Sequence, residues 1–125
     1  MESKVLVSEK ASPALGPYCH GIKHGDMIIT SGQIPLTNDG KFVYEIKAAT
    51  KLVLSNLVSI VEAGGGTKES VARVNVYLKD LNDFDAFNEA YAEFFGDHKP
   101  TRVCYQAGKI ACDAPLEADM IAFAE

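Results

Sequence analysis

A change of hydrophobic period near the middle of the chain limits the fold more than any other feature. Ile46, Ala49, Val53, Leu57, Ile60 and Val61 recur three and four apart, which places one apolar stripe on a helix of roughly five turns. Gly64, Gly65 and Gly66 stop it. The stretch GGGTKES lacks the spacing of a phosphate-binding loop and follows a helix instead of a strand, so these glycines read as a C-cap. Residues 71–79 then alternate, with Ala72, Val74, Val76 and Leu78 on one side and Arg73, Asn75, Tyr77 and Lys79 on the other. That is a strand with one apolar face.

The flanking segments extend this pattern. Residues 4–8 alternate weakly as an edge strand, and SPALGPY is a loop. A strand from Tyr18, a tight turn at His24-Gly25-Asp26 and a second strand over residues 27–34 predict a hairpin. Asp80 to Asp83 offer a turn and N-cap, after which Phe84, Phe87, Tyr91, Phe94 and Phe95 form the stripe of a second helix ending at Gly96. That stripe reads as core, not as a cofactor box. Strands over 102–107 and 116–124 are expected to pair antiparallel in a broad hairpin. The sum is one α+β domain over residues 1–125, with two helices covering one face of a sheet. Its other face is left bare. The last strand is apolar on both sides apart from Glu117 and Asp119, so a homo-oligomer in which sheets pack together, closed and cyclic, is expected.

Net charge narrows the partners. At −5, with Lys and Arg scattered, the chain has no basic stripe for an extended nucleic acid. No apolar run approaches a membrane span, and MESKVLVSEK lacks the features of a signal peptide. Glu2 and Glu9 argue against a mitochondrial presequence, so a soluble cytoplasmic protein is expected. Cys19, Cys104 and Cys112 form an odd set that suits a reducing compartment. Their spacing relative to His20, His24 and His98 resembles no zinc site, and no metal is expected.

PTRVCYQAGKI poses the functional question. Arg102 opens a half-buried strand beside Val103, Cys104 and Tyr105, where a guanidinium needs a partner to offset its lost hydration. An anion should meet it, and Glu117, which shares a strand face with Asp119, Ile121 and Phe123, is the leading candidate, on the same sheet surface or across a subunit seam. Two readings stand. The pair could be a structural ion pair that locks an interface. Alternatively, arginine's planar fork could capture a carboxylate while Glu117 orients or deprotonates water against the adjacent carbon, which fits a small 2-oxo or 2-imino acid.

GPY (16–18), ITSGQIP (29–35), VYLKDLNDFDAFNEAYAEFF (76–95) and PTRVC (100–104) together resemble the Rid family of reactive intermediate deaminases, also called YjgF or L-PSP proteins. The resemblance runs from about Ser12 to Phe123. It implies a chorismate-mutase-like, ferredoxin-related α+β fold with a mixed sheet, assembled as a homotrimer with sites between subunits. It implies a 2-iminobutanoate/2-iminopropanoate deaminase, a hydrolase acting on C=N bonds that yields 2-oxo acids and ammonia without metal or cofactor. By position, Arg102 matches the carboxylate-binding arginine and Glu117 the acidic residue assigned to water activation. Tyr18, Ser31 and Asn88 match pocket residues, and the Cys104 carbonyl would contact the imine nitrogen.

Three positions have a plainer reading: Tyr18 as a rim aromatic, Ser31 paired within the sheet, and Asn88 capping or bracing the second helix. Cys104 as a thiolate nucleophile is disfavoured, because no histidine or other activating group stands beside it in sequence. Gln106, Ile110-Ala111 and LEADM depart from the family pattern, so Gln106, Cys112, Ala118 and Met120 are expected to reshape one wall of the pocket. Two other activities accompany the resemblance: an L-PSP-type endoribonuclease that inhibits translation, and a non-catalytic carboxylate binder or chaperone-like trimer.

Overall fold

The computed structural model describes residues 2–125. Six strands, β1 (Ser3–Leu6), β2 (Gly21–His24), β3 (Met27–Thr30), β4 (Val71–Leu78), β5 (Thr101–Gln106) and β6 (Leu116–Phe123), form one sheet in the order β1-β2-β3-β6-β4-β5. Helices α1 (Ile46–Ala63) and α2 (Phe84–Phe95) share one core with Val74, Val76, Leu78, Ala118, Met120 and Ala122 on a single sheet face. Among the described residues, no helix is long and apolar enough to cross a membrane.

Local chemistry sets the element ends. The Glu45 carboxylate accepts hydrogen bonds from the amides of Lys47 and Ala48, satisfying donors that the first turn of α1 leaves free. At the other end Gly65 takes a φ of +92°, and the amides of Gly65 and Gly66 donate back to Glu62 and Val61. This is a Schellman cap, so the triple glycine ends the helix, as its position after the apolar stripe predicts. Lys47–Glu89 and Lys51–Glu93 ion pairs at 2.5 Å repeat with the same four-residue step on each helix. α1 and α2 therefore run in the same direction.

The β2–β3 hairpin forms with Gly21 opposite Thr30 and His24 opposite Met27. It is shorter than the pattern predicts. Before Gly21 the loop is held by its own bonds, Ser8 N to His20 Nδ1 at 3.0 Å and His20 Nε2 to Ser12 O at 2.8 Å, and after Thr30 only Gln33 rejoins the sheet, opposite Ala118.

The hairpin expected of β5 and β6 does not form. β5 pairs only with β4, in parallel and with α2 as the crossover, while β6 runs antiparallel between β3 and β4. Residues 107–115 round the end of β4, where Ala107 N donates to Leu78 O and Lys79 N to Pro115 O. Apolar on both faces apart from Glu117 and Asp119, β6 occupies the centre, with ladder partners on both edges.

Among the described residues, no helix covers the second face. Ile29, Tyr105 and Phe123 there are 44%, 51% and 46% exposed. The chain leaves this apolar surface open.

Candidate functional site

Strand parity decides which groups can meet. Arg102 and Cys104 lie opposite Val74 and Val76, on the helix side, whereas Glu117 and Asp119 lie opposite Tyr77 and Asn75, on the bare side. Arg102 and Glu117 thus project from opposite faces of the sheet, with β4 between their strands. The sequence-based option that placed both on one surface is ruled out.

On the helix side, Arg102 meets no anion within its own chain. Among the described residues no carboxylate lies within 4.0 Å of it. Instead Nη1 donates to Oδ1 of Asn88 at 2.8 Å, and the guanidinium lies 4.8, 5.3 and 5.7 Å from the ring centres of Tyr91, Phe87 and Phe84. The stripe that builds the core therefore also supplies a cation–π platform. A cleft of about 380 Å³ opens here, lined by Asn88, Tyr91, Phe95, His98, Lys99 and Arg102.

Cys104 presents two groups with different prospects. Burial pushes its thiol pKa up and the Arg102 charge only partly opposes this, so the thiol stays protonated at neutral pH. The backbone is better placed. Because Ala107 N reaches β4, alternation along a parallel pair turns the amides and carbonyls of Arg102, Cys104 and Gln106 outward, to the free edge of the sheet.

On the other side, Glu117 closes a pocket of about 220 Å³ whose walls include Ser12, Leu15, Tyr18, Gly32 and Ala111. Burial raises the Glu117 pKa, and the neighbouring Asp119 charge raises it further. Asp119 itself accepts from Nδ2 of Asn75 at 2.7 Å and from the Tyr77 hydroxyl at 3.0 Å. Burial, then this bond, pushes the Tyr77 phenol up to about 12. Tyr18 is half exposed and its hydroxyl accepts from Leu15 N at 3.1 Å. Ser31 donates to Cys19 O at 2.7 Å, which ties the end of β3 to the loop carrying Tyr18.

The structure therefore gathers Arg102, Asn88 and Cys104 in one half and Glu117 and Tyr18 in another, with Ser31 bracing the second. Ala118 and Met120 belong to neither. They are buried in the helix-side core at 1% and 0% exposure, so the expectation that they reshape a pocket wall is corrected by the parity of β6. Gln106 accepts from Leu81 N and braces the turn before α2. Asn75, Tyr77 and Gly32 were missed by the sequence reading. The polar side of β4 was the available signal for the first two, once β6 was known to pair with it.

The chain's similarities fit this arrangement. Residues 8–124 match the family described as Endoribonuclease L-PSP. A RutC family protein of Pyrococcus abyssi is 42% identical over 100% of both chains. An Escherichia coli protein named 2-iminobutanoate/2-iminopropanoate deaminase is 38% identical over 96% of this chain and 97% of its own. The crystal structure of Escherichia coli TdcF with bound serine superposes with a TM-score of 0.94 at 36% identity, covering 98% of this chain and 99% of that one.

Proposed function

This chain belongs to the L-PSP family, also called Rid or YjgF, and we propose that it hydrolyses small 2-imino acids to 2-oxo acids and ammonia. One observation carries the reading. A guanidinium without an anion and a carboxylate of raised pKa point from opposite faces of one sheet, so a complete site requires the Glu117 half of a second copy at the Arg102 half of the first. A homotrimer closed through the bare apolar face would build three such sites. The bound serine in the TdcF structure is a small amino acid carboxylate, of the size and charge that Arg102 would hold.

In this mechanism Arg102 anchors the substrate carboxylate and Asn88 fixes the guanidinium. The outward carbonyl of Cys104 accepts from the imine N–H, and Tyr18 walls the pocket. The Glu117 carboxylate takes a proton from water as its oxygen adds to C2 and the C=N electrons pass to nitrogen. The proton held by Glu117 passes to nitrogen to give a carbinolamine, and transfer of the C2 hydroxyl proton to that nitrogen through Glu117 then breaks the C–N bond, releasing ammonia and leaving the C2 carbonyl. The raised pKa of Glu117 makes it a better base for this task than an ordinary exposed carboxylate.

The test is to generate 2-iminopropanoate with a serine dehydratase and follow pyruvate release. The wild type is expected to accelerate release, and Arg102→Ala and Glu117→Gln each to lower that acceleration by roughly 100-fold or more, to a residual rate still measurable above the uncatalysed one. Refolding those two variants together should restore about a quarter of the sites, those with an intact Arg102 beside an intact Glu117. No recovery from properly assembled mixtures would place both residues in one subunit's site and overturn the shared-site reading.

A further inference from the structure

We propose that Gly32 is a positioning residue for Glu117: the space where a side chain would stand is the seat of the Glu117 carboxylate. The geometry is direct. A Cβ added to Gly32 would overlap Oε2 of Glu117 and lie 3.0 Å from Cδ and 3.3 Å from Cγ. The crowding comes from one flexible side chain.

The backbone at Gly32 cannot retreat to make room. On one side Ser31 is held twice, its amide donating to His20 O at 2.9 Å and its hydroxyl to Cys19 O at 2.7 Å. On the other, Gln33 is 3% exposed and exchanges backbone bonds with Ala118, the residue after Glu117, at 2.9 and 3.2 Å. Its side chain also accepts from the Ser12 hydroxyl at 2.8 Å, and Ser12 O accepts from His20. A methyl at position 32 therefore meets a fixed main chain and a mobile carboxylate. The carboxylate moves.

Gly32 has no positive φ, so alanine fits its backbone conformation. Gly32→Ala should fold normally and displace one functional group. In its seat Glu117 faces Asp119 on its own strand, Tyr77 across β4, and Tyr18 and Leu15 from the loop. Pushed toward solvent it regains hydration and loses the burial that favours its protonated form. The seat thus sets both the direction of the carboxylate and its affinity for a proton.

The inference rests on Glu117 being the water-activating group, and the experiment separates the two ideas. Carboxyl-carbon NMR titration of Glu117 in wild type and Gly32→Ala reads the seat without turnover. The apparent pKa should fall toward the ordinary glutamate value in the variant, while far-UV circular dichroism and oligomer size stay unchanged; an unchanged titration overturns the proposal. Pyruvate release in a double-mutant cycle then reads its catalytic consequence. Gly32→Ala should lower kcat at least tenfold in the wild type, with a smaller effect on KM, and cause no further loss in a Glu117→Ala background. Equal losses in both backgrounds overturn the positioning role. If instead the titration shifts but Glu117→Gln keeps full activity, the seat stands and the water-activation reading falls.

Discussion

The two halves of the candidate site handle charge in contrasting ways. Arg102 lies against three aromatic rings and one amide oxygen, with no carboxylate beside it. Glu117 lies against a glycine, with its nearest charged neighbour another carboxylate. The first arrangement holds a cation in place while leaving its charge uncompensated. The second makes a carboxylate hungry for a proton. Each half favours something it lacks: an anion in one case, a proton in the other.

The largest test bears on the cationic half. Arg102→Lys keeps the charge but loses the planar fork, its bond to Asn88 and its stacking on Tyr91, and should lower kcat/KM by roughly 100-fold. Near-wild-type activity would reduce this half to a point charge. A smaller effect is expected from Glu117→Gln when stability is measured. A carboxyl whose pKa is raised on folding contributes stability that is fully present below its unfolded pKa and lost as pH rises through the folded one. At neutral pH the native glutamate is therefore a burden, and Glu117→Gln should melt higher than wild type at pH 7, with the gap closing below the carboxylate range. A variant that melts lower at pH 7 would show the carboxylate to be compensated after all.

The smallest effect lies beneath Arg102. The Tyr91 hydroxyl is buried without a hydrogen-bond partner among the described residues, and burial pushes its pKa up to about 12. Tyr91→Phe keeps the ring under the guanidinium and should raise the unfolding free energy by about 1 kcal/mol in a denaturant titration. A loss of stability would mean that the hydroxyl has a partner, and that the cationic half is more polar than its aromatic floor indicates.

The contrast also separates what could be read in the sequence from what could not. Both helices, the alternation of β4 and the triple-glycine stop follow from local periodicity, and the structure agrees with them closely. Arg102 and Glu117 stood out because a charge in an apolar strand needs an explanation wherever that strand lies. Their relation did not, because strand order is a long-range property. Residues 107–115 could serve equally as a hairpin turn or as a passage around β4, and only burial of the two-sided apolar β6 at the sheet centre decides between them. Gly32 was illegible for the same reason: its partner is 85 positions away, and a glycine in SGQIP looks like any strand-end glycine until the carboxylate is seen against it.

Setting cation and carboxylate on opposite faces has one more consequence. Had they shared a face, they would have found each other as the chain folded, and every incoming carboxylate would have had to displace an internal rival from the guanidinium. The sheet acts as insulation between them. No rearrangement within the chain short of unfolding can bring its own Glu117 to its own Arg102, so a single chain cannot quench its own guanidinium before a second copy completes the site.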